Sequence, residues 1–391
     1  MLSFDALRTA LTECQRVVAA LTERLTAATC QGTPPKLAPQ LLHLFGEEAF
    51  LLARHIAELH AADALLDTVA NSGPKHDRQT RLALYAAAQA VLDLESALVR
   101  HGPSFCGGVA TRVEVSAEIH EAVVEAASPA AVAALAPWIL QGGASAASSY
   151  ALSADHEDIR TLFRDFADEQ VAPLAEEIHR QDALLPEALI AAYRDIGVLG
   201  ITIPDTYGGQ FIDHRAMALA TEELSRASLG AGGSVITRPE IAAKALLKGG
   251  TEAQKKHWLP RIASGEEIVS IAVTEPGAGS DVAALRVTAT RVDGGYVIDG
   301  EKTWCTFAGR ASVMLVLVRT GAPDSGARGL TLFLVPKPAT KAPEEDRSFS
   351  HVDGRGGTLS GRAIPTVGYR GMHSFTVFFE NWFVADELRV G

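Results

Sequence analysis

The sequence predicts an α+β protein of several domains: a helical N-terminal extension, a second helical domain and a β-barrel domain. Three observations support this fold class. The 391 residues are enough for more than one domain. Apolar residues recur at helical spacing through the first two-thirds of the chain, and β-prone segments replace them from residue 269 onward. We therefore expect domains at 1–150, 151–268 and 269–391.

Residues 1–150 are rich in Ala and Leu and have the period of amphipathic helices. The first helix carries one apolar stripe made of Leu7, Leu11, Cys14, Val18, Leu21 and Leu25. Further helices are expected at about 37–70 and 78–100, followed by a pair across 115–142. The segment GGASAASS at 142–149 has the composition of a flexible linker.

Residues 151–268 also have a helical pattern, with a more mixed composition. Pro173, Pro186 and Pro239 are placed where helices begin or break. The stretch 203–209 contains Pro, Asp and two glycines and is predicted to be a loop. This region is therefore expected to form a helical domain.

From residue 269 onward, β-prone segments lie between turn signals. Strands are predicted at 268–273, 296–298, 313–318, 330–335 and 375–379. The triplet Asp293-Gly294-Gly295 is a hairpin signal. Short strands joined by turns indicate a compact barrel or sandwich. The glycine-rich stretch 338–362 is predicted to be one long loop.

The charge balance disfavours two classes of partner. Forty-seven acidic residues against 35 basic ones give a net charge of -12, whereas nucleic acids and anionic membranes attract clustered Lys and Arg. No run approaches 18 apolar residues and the N-terminus lacks the features of a signal peptide, so we expect neither a membrane span nor export. A cytoplasmic location is predicted.

A metal site is not expected either. The four cysteines are scattered without a C-x-x-C pair. Histidines and glutamates crowd one helical stretch at 43–60, but the E-x-x-H spacing of di-iron proteins is missing. We interpret that stretch as a solvated helix face.

Five segments occur in a characteristic order along residues 153–391. They are PDTYGG at 204–209, GTEAQK at 250–255, IAVTEPGAGSD at 271–281, DGEKTWCT at 299–306, and GYRGMHS at 368–374 followed by FFEN at 378–381. Together they resemble the acyl-CoA dehydrogenase family of flavoproteins. The resemblance implies bound FAD, a helical domain before a β-barrel domain, and α,β-dehydrogenation of an acyl-CoA thioester.

The resemblance also implies roles for residues of the candidate flavin site. Main chain near Ile271 and Val273 and the Thr274 hydroxyl would meet the pyrimidine edge of the flavin. A Gly-rich turn that includes Gly279 lets backbone approach a ligand closely. Ser280 would contact the pyrophosphate or the acyl-CoA. The candidate set is completed by Trp304, as an aromatic wall, and Thr306, near the flavin N5.

Two residues of these motifs are expected to be structural. Glu275 is expected to hold the glycine-rich turn through backbone amides rather than to act as a base, and Cys305 is expected to pack in the core. In the family the base lies in a C-terminal helical domain, which would begin where this chain stops. We therefore expect no catalytic residue within 1–391 and no turnover by this chain alone.

The resemblance implies an electron-transfer flavoprotein as electron acceptor and a homodimer or homotetramer as the complete assembly. One alternative stays open, since a non-catalytic module that binds acyl-CoA or FAD would share the same motifs. A natural stop codon after residue 391 would favour that module. A reading frame that continues into a helical segment would favour the dehydrogenase.

The helical extension and the segments 237–241, 367–375 and 382–384 resemble the branch of the family that acts on methylsuccinyl-CoA in the ethylmalonyl-CoA pathway. Such a substrate carries a free carboxylate, and burying that charge without a partner is costly. Arg238, one turn before apolar positions of the same helix, is therefore a candidate substrate-binding residue. The alternative is a surface arginine at a helix start.

Overall fold

A computed structural model describes residues 4–32, 36–71, 77–106, 112–142, 152–339 and 347–391. The chain divides into two compact units, Met1–Leu152 and Ser153–Gly391. Each unit has its own hydrophobic core, so each is described by itself.

The first unit is helical, as predicted. Its helices are α1 (Phe4–Thr29), α2 (Pro39–Leu42), α3 (Gly46–Asn71), α4 (Asp77–Cys106), α5 (Ala117–Ala126) and α6 (Pro129–Gly142). Two short strands, β1 (Cys30–Gln31) and β2 (Lys36–Leu37), pair after α1. The predicted stripe of α1 packs into a core shared with α3 and α4. The predicted linker lies outside the described residues from 143 onward.

Two features of this unit differ from the sequence-based expectations. His55, placed on a solvated face, is buried because α3 turns it toward the core, and burial lowers its pKa. Two stretches, Gln79–His101 and Ala117–Pro137, are long and apolar enough to cross a membrane by length and composition. About half of the most apolar part of Gln79–His101 is buried inside the unit. The stretch Ala117–Pro137 is interrupted by a turn between α5 and α6.

The second unit begins with helices. They are α7 (Ala154–Phe166), α8 (Ala172–Gln181), α9 (Glu187–Asp195), α10 (His214–Ala227), α11 (Thr237–Gly249) and α12 (Glu252–Ser264). The three prolines lie at helix starts, as predicted: Pro173 is the second residue of α8, Pro186 precedes α9, and Pro239 lies in the first turn of α11. The helices α7–α10 pack around one apolar core, whereas α11 and α12 pack in another core together with strands of the sheet.

The rest of this unit is a mixed β-sheet. Its strands are β3 (Val269–Ala272), β4 (Thr288–Val292), β5 (Gly295–Thr306), β6 (Val313–Arg319), β7 (Leu330–Pro336), β8 (Ser348–Val352), β9 (Thr358–Ala363), β10 (Ser374–Ala385) and β11 (Arg389–Val390). In the described residues the strand order is β11-β7-β6-β4-β5-β10-β9-β8, and β3 pairs in parallel with β6. Helical domains followed by a β-sheet domain agree with the predicted fold class.

The predicted loop at 338–362 is wrong. β8 and β9 form an antiparallel hairpin within it, with Phe349 opposite Gly361. Phe349 is buried, and a Cβ at Gly361 would come within 2.4 Å of its ring. Asp353 closes the hairpin by accepting the amides of Arg355 and Gly357. The glycines therefore serve a tight turn and a crowded strand contact rather than an irregular loop.

Candidate functional site

The glycine-rich segment after β3 forms a tight turn with an open surface. Glu275 and Ala278 exchange both backbone hydrogen bonds, at 2.8 and 3.1 Å. A Cβ at Gly277 would meet no described atom within 4 Å, and one at Gly279 would touch only Thr274, at 3.7 Å. Neither glycine has a positive φ. The described chain thus gives neither a steric nor a conformational reason for these glycines, whereas close approach of a ligand would give one.

A buried ion pair fixes this turn to β5. Lys302 is fully buried, and its Nζ donates to the carbonyl of Val273 and to Glu275 Oε1, each at 2.8 Å. Glu275 also accepts the amides of Arg286 and Val287, at 2.7 and 2.9 Å. Burial lowers the pKa of Lys302, and Glu275 partly offsets this effect. With three donors on its carboxylate, Glu275 has the structural role predicted for it.

Trp304 presents its ring to solvent from an irregular position in β5. Its φ is 58°, a left-handed conformation that is rare for a bulky residue. The pairing of β5 with β10 is shifted here, so Lys302 and Cys305 are both buried while 55% of Trp304 is exposed. The preceding residue, Thr303, donates its amide to the carbonyl of Thr274 at 2.8 Å. The backbone that carries Trp304 is therefore held next to the segment after β3.

Cys305 packs in the sheet core, as predicted. Its side chain is fully buried, and burial raises the pKa of the thiol to about 12. A buried thiol with a raised pKa is a poor nucleophile, which agrees with a packing role for Cys305.

Thr306 ends β5 beside a second hydroxyl. Its Oγ1 lies 2.9 Å from the Oγ of Ser374, the first residue of β10. Ser270 of β3 donates to the carbonyl of Thr306, at 2.9 Å. The ends of β3, β5 and β10 are thereby joined at one place. Ser374 was not singled out from the sequence, although it ends the GYRGMHS motif.

The remaining candidate flavin-binding residues lie in β3 and in the segment that follows it. Ile271 is half-buried in β3 opposite Leu315, and Val273 follows the strand with its carbonyl held by Lys302. Ser280 is exposed at the end of the turn. The structure therefore brings the candidate flavin residues to the end of β3 and the adjoining part of β5.

Arg238 lies apart from this set, at the start of α11. It is 9% exposed and lines a cavity whose other walls are mainly apolar. These walls include Leu185, Ile190, Tyr193, Val235, Phe307 and Met372. Phe307 directly follows Thr306, so the cavity adjoins the candidate flavin site along the chain. The alternative of a surface arginine does not hold, because the side chain turns into the protein.

The segment after β9 is held against the helices by a network of charges around Asp182. This carboxylate pairs with His373 Nε2 at 2.9 Å, with Arg370 Nε at 3.3 Å, and with Arg347. Burial alone would raise the pKa of Asp182, but hydrogen bonds from Arg347 and His373 lower it below its usual value. The network fixes residues 370–373, which include Met372 of the cavity.

No group of three or more His, Cys, Asp or Glu side chains that could hold a metal ion occurs among the described residues. The candidate site offers instead the aromatic ring of Trp304, the hydroxyls of Thr306 and Ser374, and the buried guanidinium of Arg238.

Comparisons with known proteins agree with these features. Residues 153–266 match the acyl-CoA dehydrogenase N-terminal domain, and residues 270–382 match the middle domain. (2S)-Methylsuccinyl-CoA dehydrogenase of Cereibacter sphaeroides is 41% identical over 240 residues, which are 61% of this chain and 42% of that protein. Mitochondrial isovaleryl-CoA dehydrogenase of Solanum tuberosum is 32% identical over 249 residues, 62% of this chain and 56% of that protein.

A solved structure supports the same relationship. A glutaryl-CoA dehydrogenase from Mycobacterium smegmatis, in complex with FADH2, superposes with a TM-score of 0.51 at 26% identity, covering 61% of this chain and 55% of that one. The chain thus spans 42% and 56% of the two curated relatives described above. With both domain matches in order over residues 153–382, the chain belongs to the acyl-CoA dehydrogenase family.

Proposed function

We propose that this chain binds FAD and serves the α,β-dehydrogenation of a short acyl-CoA thioester, (2S)-methylsuccinyl-CoA to mesaconyl-CoA. One observation carries the proposal: Trp304 is exposed at a point where the backbone of β5 is bonded to the segment after β3, within the family's middle domain. An exposed aromatic ring in a strained backbone conformation is costly for the fold alone. A planar ligand stacked on it would explain both features.

The residues present fit a flavin. Trp304 offers an aromatic face, and the hydroxyls of Thr306 and Ser374 lie together at the end of β5. The open turn at Gly277 and Gly279 leaves room for close backbone contact. When bound, FAD would supply the hydride acceptor, which is chemistry that no side chain offers.

The reaction removes one proton and one hydride from neighbouring carbons of the acyl group and leaves a carbon–carbon double bond. The α-proton is weakly acidic and needs both a base and a polarised thioester carbonyl. Glu275 is unsuited as this base because its carboxylate is buried and bonded to Lys302 and two amides. We expect the base from the C-terminal helical domain that the family resemblance implies.

Arg238 is the proposed binding residue for the distal carboxylate of the substrate. The relative that is 41% identical is named for methylsuccinyl-CoA, whose acyl group ends in a carboxylate. Arg238 is a buried cation on an apolar cavity wall. Among the described carboxylates, none lies within ion-pair distance of it. A bound carboxylate would neutralise it.

The other expected partners are part of the same proposal. An electron-transfer flavoprotein would accept the electrons, in a cytoplasmic homodimer or homotetramer. Light scattering of the complete protein would measure the assembly, and reduction of the purified flavoprotein in the presence of substrate would test the acceptor.

The first experiment is a titration of the purified chain with FAD, followed by visible absorption. We expect a bound spectrum with shifted peaks. Trp304→Ala should weaken FAD binding about fivefold, because loss of an aromatic contact costs about 1 kcal/mol. Trp304→Phe, which keeps an aromatic ring, is the matched control.

Equal affinities for the wild type and both variants would remove Trp304 from the site, and an unshifted spectrum at saturating FAD would contradict cofactor binding by this chain. If FAD binds, the complete protein is then assayed with methylsuccinyl-CoA. Binding without turnover there would favour the non-catalytic module.

A further inference from the structure

The guanidinium of Arg238 is enclosed by two hydroxyl groups. Nη1 donates to both the carbonyl, at 2.5 Å, and the hydroxyl of Ser234, and Nη2 donates to the Tyr369 hydroxyl at 2.6 Å. The two hydroxyls are also hydrogen-bonded to each other. The guanidinium carbon lies 5.9 Å from the centre of the Tyr369 ring. Residues from α11, the turn before it and the segment after β9 therefore converge on one cation.

The cluster formed by Arg238, Ser234 and Tyr369 has more hydrogen-bond donors than described acceptors. An arginine side chain carries five N–H groups, and the described acceptors account for Nη1 and for one N–H of Nη2. The Nε N–H and the second Nη2 N–H have no acceptor among the described residues. Because one hydroxyl donates to the other, one hydroxyl proton also remains free. A carboxylate, with two oxygens and several lone pairs, matches such a set of donors.

The position of the Tyr369 side chain in this cluster is fixed by the backbone that carries it. Tyr369 has a φ of 59°, a left-handed conformation that must be imposed by its surroundings. A Cβ at Gly230 would come within 2.4 Å of the Arg370 carbonyl, so the backbone of 369–370 packs directly on the turn before α11. Arg370 donates to the carbonyl of His179 at 2.6 Å. The Tyr369 hydroxyl is thereby preorganised beside Arg238.

One carboxylate of the protein itself, that of Glu267, lines the apolar cavity that Arg238 also lines. Glu267 faces it, but its carboxylate accepts the hydroxyl of Ser312. No ion pair joins it to Arg238 within 4.0 Å in the described part of the chain. Glu267 is therefore the internal competitor that an experiment must exclude.

We propose that Tyr369 and Ser234 complete, with Arg238, a pocket that selects acyl-CoA esters with an ionised carboxylate at the end of a short acyl chain. Tyr369 contributes specificity by donating to the carboxylate oxygen that Arg238 leaves under-satisfied. This assignment rests on the proposed dehydrogenase function and deepens it. A site with buried polar donors rejects an analogue lacking the acceptor, because those donors stay unpaired.

The test compares two esters that differ only in that group. Methylsuccinyl-CoA and 2-methylbutyryl-CoA have the same carbon branching, with a carboxylate in the first where the second has a methyl group. Dissociation constants are measured by calorimetry on the complete FAD-loaded protein for the wild type, Tyr369→Phe, Ser234→Ala, Arg238→Met and Glu267→Gln. Tyr207→Phe is the matched control, since its hydroxyl contacts Glu252 on another surface.

Tyr369→Phe should weaken methylsuccinyl-CoA about tenfold or more, because a hydrogen bond to a charged group is lost. Its affinity for 2-methylbutyryl-CoA should stay within about twofold. Ser234→Ala should act in the same direction, and Arg238→Met should abolish the preference. Glu267→Gln removes a like charge from the cavity and should not reduce the preference, and Tyr207→Phe should leave it intact. The FAD spectrum reports whether each variant is folded, and Ser234→Ala carries the test if Tyr369→Phe is not.

Equal losses for both esters, or no loss for either, in folded Tyr369→Phe and Ser234→Ala would overturn the assignment. A wild type that binds FAD and oxidises 2-methylbutyryl-CoA better than methylsuccinyl-CoA would overturn the pocket but leave the dehydrogenase function. A wild type that binds neither FAD nor either ester would overturn both.

Discussion

Two lysines are buried among the described residues of the second unit, but their surroundings differ. Lys302 has a carboxylate partner, Glu275, whereas Lys337 has only carbonyl oxygens, those of Pro338 at 3.0 Å and Gly309 at 3.5 Å. The ring of Phe349 lies 4.6 Å from the Lys337 Nζ. Burial and the nearby charge of Arg310 lower the pKa of Lys337 to about 8. A charged Lys337 therefore destabilises the folded state at neutral pH.

This makes stability depend on pH in a predictable direction. Below about pH 8, Lys337 is charged in both the folded and unfolded states, and its burial cost is fully present. Between that pH and the unfolded pKa of about 10.4, the unfolded chain binds more protons, so the free energy of unfolding rises with pH. Lys337→Met should therefore be more stable than wild type at pH 7, by about 1–3 kcal/mol.

The measurement is urea denaturation of wild type and Lys337→Met from pH 7 to pH 10, with the exposed Lys256→Met as control. The advantage of Lys337→Met should shrink toward zero at the upper end of this range. A constant difference between the two proteins at every pH would show that Lys337 does not titrate as a buried group.

At the scale of elements, one side chain of α12 is hydrogen-bonded to the segment that leads into the last strand. Thr251 and Gln254 form a capping box at its start. The Gln254 amide also donates to the carbonyls of Glu387 and Arg389, each at 2.7 Å. The same glutamine thus caps a helix and holds the approach to β11.

Gln254→Ala should cost more stability than Thr251→Ala for this reason. Loss of the Thr251 cap costs about 1 kcal/mol, whereas Gln254→Ala also leaves two carbonyls without their donor and should cost about 2–3 kcal/mol. Hydrogen exchange separates the two effects: backbone amides of 387–390 should exchange faster in Gln254→Ala only. Equal exchange in both variants would show that the Gln254 hydrogen bonds do not hold this segment.

The limits of prediction also appear at the scale of elements. Helices with long apolar stripes, such as α1, could be predicted because their period depends only on local sequence. The hairpin of β8 and β9 could not, since its strands are short and its core contact is one residue, Phe349, packed on Gly361. The shifted pairing that exposes Trp304 depends on β10, about 70 residues further along the chain.

The same distinction applies to the candidate site. Motifs identified the segments 271–281 and 299–306 because they are contiguous in sequence. Tyr369 was not singled out, since its contacts with Arg238 and Ser234 join positions 131 and 135 residues apart. Ser234 was not singled out either, although it lies only four residues before Arg238. A tyrosine or serine carries no signal of such a role until the fold brings it to a cation.

At the scale of the whole molecule, the division into Met1–Leu152 and Ser153–Gly391 leaves all candidate site residues in the second unit. Each unit has its own core, so each is expected to fold independently. A fragment of residues 153–391 should therefore bind FAD with an affinity within about twofold of that of the whole chain.

The comparison uses the FAD titration together with thermal unfolding followed by circular dichroism. A cooperative transition and an unchanged dissociation constant are expected for the fragment. A fragment that folds but binds FAD more than about tenfold more weakly would show that residues 1–152 contribute to the site.

The exposed indole of Trp304 gives the candidate flavin site its own optical reporter. In the fragment of residues 153–391, which contains three of the four tryptophans, Trp258 and Trp382 are only 7% and 6% exposed, against 55% for Trp304. A solvated, red-shifted component of the fragment's intrinsic fluorescence should therefore come from Trp304. A flavin stacked on that ring would quench this component first and leave the emission of the two shielded indoles brighter by comparison. Cofactor loading could then be followed in real time, without any label, through the residue proposed to hold it.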